Sequence, residues 1–464
     1  MHFGTELYLA TGLSFLGLGI LGLLLWKPAF NVWMDAFVKR LLKDPYPENI
    51  GEMYNVFHKV GVQNVLETDL RGASGEVLQR PFGTPRRYSE WDRLLLNPVY
   101  LSRKPVPESL EIETKVTIGP QAKRPLEIDI PLMIAGMAYG IGLSLNAKLA
   151  LVKGANQEKT AVNSGAGPYL PEERKHGDRL IIQYHRGSWG KNEEWLRQAN
   201  AVEIQLGTGA LSSAPVYIKP QDLSPELQSY MHLGRDEGLS FNAAFDNVKS
   251  GPELTKLVNY LRQITNGVPI GVKIGATHLL EAELQIITAA GIDFLTIDGK
   301  EAGTYFGPGI LEDDVGLPTL PALCRTVTFL KNAKLKSKIS LIVSGGLVTP
   351  GQVLKALVLG ADAVYLGTAV LIALAHNQIA KVIPWEPITE LIYERGKFKD
   401  RLIVDQAARS VANFLKSCNQ EIILAMRCLG KTSLKQLTIE DLSALTPEIS
   451  KMTGAELALF SPTR

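Results

Sequence analysis

The chain has 464 residues, 45% hydrophobic and 21% charged, so a sizeable core is available and bulk disorder is excluded. Forty-nine basic against 47 acidic side chains leave a formal charge of +2, which is no footprint for a nucleic-acid partner. Cys324, Cys418 and Cys428 form no CxxC or cluster spacing, which argues against a disulfide framework, a Cys-rich zinc site and an iron–sulfur cluster.

The first element in chain order is Leu7–Trp26, LYLATGLSFLGLGILGLLLW, an uncharged run. As a helix it would be about 30 Å long, the thickness of a bilayer's hydrocarbon core. Tyr8 and Trp26 stand where interfacial aromatics belong, and a cleaved signal peptide fits poorly, with no basic leading region and no A-x-A site. The segment therefore predicts a single transmembrane anchor in the lipid bilayer. Lys27, Lys39, Arg40 and Lys43 follow it, and the positive-inside rule then puts the rest of the chain in the cytoplasm. Gly17, Gly19 and Gly22 match GxGxxG, but no strand precedes them, so no dinucleotide site is read there. The chain opens Met1-His2, so no amino-terminal nucleophilic cysteine is expected.

Residues 27–108 are mixed in character, and Glu111–Ile118 with Leu126–Ile130 suggest a hairpin. Eight short apolar runs follow: Pro131–Met137, Thr160–Gly165, Leu180–Tyr184, Val202–Gly207, Ile270–Gly275, Phe294–Gly299, Ser340–Gly346 and Ala363–Thr368. Continuous rather than alternating hydrophobicity suits parallel strands buried on both faces. Ser144 and Thr349 are placed to cap intervening helices, with Pro350 at a first helical position and Gly360 as a stop. Eight βα units predict an α/β fold, a TIM (β/α)8 barrel. A helix is expected around Glu253–Ile264, an amphipathic helix over Arg401–Leu429, and another over IEDLSAL capped by Thr438. The organisation read from this is an anchor and juxtamembrane segment at 1–44, an irregular layer at 45–120, the barrel at 121–380 and a helical appendage at 381–464.

Barrel active sites lie at the carboxyl ends of the strands. Strands 7 and 8 deliver Ser344, Gly345, Gly346, Gly367 and Thr368, small residues before a helix start that suit a phosphate, or else plain tight turns. Lys273 in the apolar run IGVKIG needs a buried partner, either a structural counter-ion or a flavin edge that gains negative charge on reduction. Gln183 and Gln205 could meet a pyrimidine-like ring edge or be satisfied core amides. Asp298 ends strand 6 and opens the loop GKEAGTYFGPG, which suits a lid over a substrate. The seven histidines form no HxxxH or HxH pair, so no metal site is expected, and Cys324 reads as core.

These residues resemble those of the FMN-binding glutamate synthase family, in its stand-alone, membrane-anchored branch. Gly136–Gly140, GMAYG, is similar to the first-strand segment under the flavin. Asn163–Gly167 resembles NTGEG, Val272-Lys273 resembles VKL, Asp298–Pro308 resembles SGHDGGTGASP, and Gly316-Leu317-Pro318 resembles GLP. Ser344–Val348 resembles DGGLK, and Leu359–Ala373, LGADAVYLGTAVLIA, resembles LGAEEFGFGTAALIA. The resemblance implies FMN, with its phosphate near Gly345, Gly346, Gly367 and Thr368. It implies a flavin edge at Lys273 and contacts from Gly136, Met137, Ala138, Asn163, Gln183, Gln205 and Ser344. Its implied activity is reduction of 2-iminoglutarate to glutamate, with Lys273, Asp298, Lys300 and Glu301 as candidate catalytic groups. Other readings are an FMN oxidoreductase on a different imine or carbonyl, or a non-catalytic FMN-binding membrane protein. No NAD(P) domain is read, so the sequence does not identify the electron donor, whether a protein or another reductant.

The chain also departs from the family pattern. The cluster-binding cysteines after strand 8 are absent. Leu211 stands where QGAKPG has lysine, and Ala166 where NTGEG has glutamate. Loss of a buried charge-assisted contact costs about 1.5–3 kcal/mol, so weak glutamate synthesis from 2-oxoglutarate and ammonia is expected.

Overall fold

The computed structural model describes residues 2–43, 45, 49 and 51–459. The chain forms two compact units, 1–78 and 79–464. The first contains helices His2–Lys43, Glu52–Val60 and Val62–Ser74, so much of the stretch expected to be irregular is helical. Among the described residues no helix is long and apolar enough to cross a membrane. The expected anchor at 7–26, and with it the membrane attachment and the assignment of sides, is therefore corrected. Residues 7–26 are helical, but the helix continues through Pro28 to Lys43 and carries Lys27, Asp35, Lys39, Arg40 and Lys43 along its second half. The side chains of residues 2–15, 17 and 18 lie outside the described residues.

The second unit is built on a closed barrel of eight parallel strands. These are β1 (Leu132–Ile134), β2 (Val162–Asn163), β3 (Leu180–Tyr184), β4 (Ala201–Gln205), β5 (Ile270–Gly275), β6 (Phe294–Asp298), β7 (Ser340–Ser344) and β8 (Ala363–Leu366). Each lies inside or within a residue of a run read from the sequence. Chain neighbours pair in order, and β8 closes on β1 with Leu366 opposite Ile134. The strands are buried along nearly their whole length because helices cover the outside while side chains fill the inside, which is why their hydrophobicity is continuous.

Local signals place the helices. Ser144 accepts the Ala147 N–H and starts Leu145–Gln157. Thr349 and Gln352 form a reciprocal capping box that starts Pro350–Val358. The hairpin expected before the barrel pairs Val116–Ile118 with Leu126–Ile128. Between β4 and helix Gly251–Ile264 the chain makes an excursion, with a short helix Pro225–Tyr230 and a hairpin of Val216–Ile218 against Leu239–Phe241. The helix expected over IEDLSAL is corrected: a single turn, Ile439–Asp441, leads into strand Leu442–Ala444, which pairs antiparallel with Leu94–Leu96. Asp441 is buried between Lys431 (3.0 Å) and Arg103 (3.1 Å), and that anchoring with the strand pairing overrides the helical pattern.

Helix Val404–Cys428 packs along helix Leu145–Gln157 and ties the carboxyl-terminal segment to the barrel. The contact depends on Gly154, where a Cβ would stand 2.7 Å from Val411 and 2.8 Å from the Ala408 carbonyl. Gly154→Val is expected to destabilise the barrel unit by about 1–3 kcal/mol through overpacking, read as a lower urea midpoint at unchanged slope.

Candidate active site at the carboxyl mouth of the barrel

The upper barrel interior is a polar layer in which seven of the eight strands take part. Its hub is Glu203 on β4, fully buried at 0% exposure. Asn163 Nδ2 on β2 and Gln183 Nε2 on β3 each donate to its Oε1 at 2.8 Å, and Thr296 Oγ1 on β6 donates to Oε2 at 2.7 Å. Asn163 Nδ2 also donates to the Tyr365 hydroxyl on β8 at 3.2 Å, and Gln205 Nε2 donates to Gln183 Oε1 at 3.1 Å. Asn163, Gln183 and Gln205 are thus satisfied within the protein. Gly136, at the end of β1, crosses directly over this layer: a Cβ there would stand 2.7 Å from Asn163 Oδ1.

Beside the hub, Lys273 Nζ lies 3.2 Å from Asp298 Oδ2. The buried partner of Lys273 is therefore a side chain of the next strand. Burial acts to lower the Lys273 ammonium, but Asp298 and Glu203 outweigh it and hold the group above the ordinary lysine value. Asp298 is fully engaged, accepting the Ser344 hydroxyl on β7 at Oδ1 and the Gly209 N–H at Oδ2 (2.9 Å). The Gly209 bond ties the loop after β4 to the mouth. Lys300 and Glu301 turn elsewhere. Lys300 is buried, donates to the Asp313 carbonyl and stands 4.0 Å from the centre of the Tyr88 ring. Glu301 accepts the Thr319 N–H (2.8 Å) and hydroxyl (2.7 Å) and the Ser89 hydroxyl. The structure joins Asp298 with Lys273 and separates both from these two candidates in their hydrogen bonding.

Next to Asp298 around the mouth, β7 ends in Gly345 and Gly346, both at positive φ (114° and 68°), and β8 ends in Gly367 before helix Thr368–Ala375. The N–H groups of Gly346, Gly367, Thr368 and Ala369 donate to no acceptor in the described chain. A Cβ at Gly367 would meet only Ala135 Cβ, at 4.0 Å, so space lies beside Gly367. A helix start with unengaged N–H groups and open space favours an anion. Met137 and Ala138, after β1, are braced from behind, where Lys148 donates to the Met137 carbonyl (2.9 Å) and pairs with buried Glu173 (2.8 Å).

Three residues were passed over by the sequence reading. Glu203 lies in AVEIQ as Lys273 lies in IGVKIG, and a charge inside an apolar strand was the available signal. His185 and Arg186 extend β3 into the mouth and are both buried. His185 Nδ1 accepts the Gly187 N–H at 3.1 Å, and its ring packs on Trp189 (5.0 Å) and Phe241 (5.5 Å). Burial first, then Lys191 and Arg186, lowers the imidazole to about 3, partly opposed by the Gly167 carbonyl.

A closed parallel barrel with a buried polar layer under its mouth and an anion cradle at β7 and β8 defines an α/β-barrel enzyme. The family model described as the conserved region in glutamate synthase matches residues 88–432, and the chain belongs to the glutamate synthase family and is an oxidoreductase. It is 32% identical over 419 residues to a glutamate synthase large subunit-like protein of Rhizobium meliloti (strain 1021), covering 84% of this chain and 90% of that protein. It is 30% identical over 348 residues to an archaeal glutamate synthase [NADPH] of Methanocaldococcus jannaschii, covering 73% of this chain and 68% of that protein. Among solved structures, a variant of flavocytochrome b2 shares the fold, with a TM-score of 0.51 at 16% identity over 92% of this chain and 94% of that one.

The buried imidazole makes the fold acid-sensitive. With a folded value of about 3 against 6.5 unfolded, the unfolded state binds the extra proton, so the stability is complete above 6.5 and lost as pH falls towards 3. His185 is expected to account for a loss of about 2 kcal/mol by pH 5, which urea unfolding of the parent and of His185→Asn would measure as a shallower acid slope in the variant.

Proposed function

We propose that the chain is an FMN-dependent oxidoreductase of the glutamate synthase type that reduces the carbon–nitrogen double bond of a 2-imino acid, nominally 2-iminoglutarate, to the amino acid. The observation that carries the reading is the open donor cradle at Gly346, Gly367, Thr368 and Ala369, whose unengaged N–H groups and empty space suit a phosphate monoester. The remaining residues suit the rest of the group: Gly136 crosses closely over the Asn163 and Gln183 amides, and in this reading the backbone from Gly136 to Ala138 would face the ring with Lys273 at its edge. Held by the N–H groups at β7 and β8 with Lys273 at its edge, reduced FMN would supply the hydride equivalent that reduction of an imine needs, one proton being taken up on the nitrogen.

The chain's own residues prepare the site. Lys148 and Glu173 hold the β1 and β2 loops together, so the Met137–Ala138 surface is rigid. The Glu203 hub locks the amides of Asn163 and Gln183 in one orientation. Lys273 gives the ring edge a cation and Asp298 moderates it at 3.2 Å.

Purified protein is expected to carry about one FMN per chain and to bind riboflavin less well, the difference being the phosphate contact. Equal affinity for the two would remove the cradle from the argument. Gly367→Glu puts bulk and like charge in front of the donors and should abolish FMN binding.

Lys273→Met is expected to lower the flavin's midpoint potential and Asp298→Asn to raise it, because a cation near the ring edge favours the reduced form and a carboxylate opposes it. Redox titration of both variants checks the signs; identical potentials would place the Lys273–Asp298 pair away from the ring.

A further inference from the structure

Arg186, two residues beyond the end of β3, is 4% exposed. Its Nη1 donates to the carbonyls of Ser213 and Ala243, both at 2.8 Å, which occupies both hydrogens of that nitrogen. Its Nε is buried and has no hydrogen-bond partner, and among the described residues no carboxylate pairs with the guanidinium. The unengaged side is the Nε/Nη2 edge, which presents two parallel N–H donors matched to a planar carboxylate.

Buried charges in folded proteins are normally paired, and a cation left without an anion destabilises the fold unless a ligand supplies one. The neighbouring buried cations already have their partners. Lys148 pairs with Glu173 at 2.8 Å and Lys273 with Asp298 at 3.2 Å, while Lys300 lies against the Tyr88 ring. Of these four, Arg186 alone has a buried N–H with no acceptor.

Its position connects it to the mouth. The loop that receives Nη1 at Ser213 is the one whose Gly209 N–H binds Asp298, and Thr208 and Ser212 bond each other's backbones to fold it into a tight turn. On the other side, Trp189 Nε1 donates to the Ala166 carbonyl at 3.1 Å, which joins the β3 loop to the β2 loop. Leu211 and Ala166 add no charge to these loops, and His185, uncharged above about pH 3, adds none beside the guanidinium.

We propose that Arg186 anchors the substrate's carboxylate, and that the site takes a 2-oxo or 2-imino acid through this single carboxylate. The assignment rests on the reading of the chain as an imine-reducing enzyme. It also makes a side-chain carboxylate dispensable, so monocarboxylic acids bind on even terms with 2-oxoglutarate.

The test titrates the full-length protein, as purified, with pyruvate, 2-oxoglutarate and uncharged pyruvamide by calorimetry, with FMN content measured separately. Pyruvate and 2-oxoglutarate should bind within a few-fold of each other and pyruvamide should not bind. Arg186→Gln should weaken both acids by about 10- to 100-fold, the loss of a charge-assisted pair, with FMN content kept. Arg186→Lys, which keeps the charge without the fork, should fall between and decides the matter if the glutamine variant does not fold. Unchanged affinity in the folded variants, absence of binding by both acids to flavin-replete protein, or a preference for 2-oxoglutarate above about tenfold would each overturn the assignment. Protein that binds pyruvate through Arg186 but takes up no FMN would instead sink the proposed function and leave the carboxylate site standing.

Discussion

A carboxylate removed from water inside a barrel must be matched on every lone pair, and Glu203 imposes that demand on the whole upper interior. Its two oxygens draw Asn163, Gln183 and Thr296 from three other strands, and Lys273 lies close enough to feel its charge. The demand also fixes register, since Gln183 and Glu203 are ladder partners on β3 and β4. A one-residue slip would turn the carboxylate towards the helices and leave its donors unsatisfied. The polar layer is therefore a floor whose geometry follows from one buried charge.

That floor determines what the mouth can do. Its cations are largely neutralised in advance. Lys273 sits between two carboxylates, so its field on anything above it is weaker than that of a lone lysine. Asp298 in turn uses its second oxygen on Ser344 and holds Gly209, so the carboxylate that neutralises Lys273 also fixes the loop after β4. Among the described residues of the mouth, donors without an acceptor include the backbone N–H groups at the ends of β7 and β8 and the Nε of Arg186.

The barrel was legible in the sequence because burial on both faces writes itself as uninterrupted apolar runs, and the helix starts at Ser144 and Thr349 because capping is local. The turns at the ends of β7 and β8 were legible for the same reason, since small residues at strand ends constrain only their own turn. Pairing across strands was not. Nothing within IGVKIG says that its lysine meets Asp298, or within LIIQYHR that its arginine meets none, because both facts depend on which strands closure makes neighbours. Thr438 shows the same limit from the other side: a sound capping box is present, yet pairing with Leu94–Leu96 takes the chain out of the helix after one turn. The expectation for 7–26 rests on its apolar run, the flanking aromatics and the basic residues that follow, none of which registers that the helix runs on to Lys43.

Membership of the glutamate synthase family and the uncharged Leu211 and Ala166 are reconciled by the loops themselves. Leu211 lies inside the Thr208–Ser212 turn, with its own N–H accepted by the Thr208 hydroxyl at 3.1 Å, so that position now serves the turn. Two residues further on, the same loop accepts the Arg186 guanidinium. A cation carried on β3 thus reaches the rim that β4 forms, and it arrives from a rigid strand end rather than from a loop. The barrel floor need not change for this to happen, because Gln183 still faces Glu203 three residues before Arg186. The mouth loops can therefore vary while the buried carboxylate beneath them keeps the strands and the amides in place.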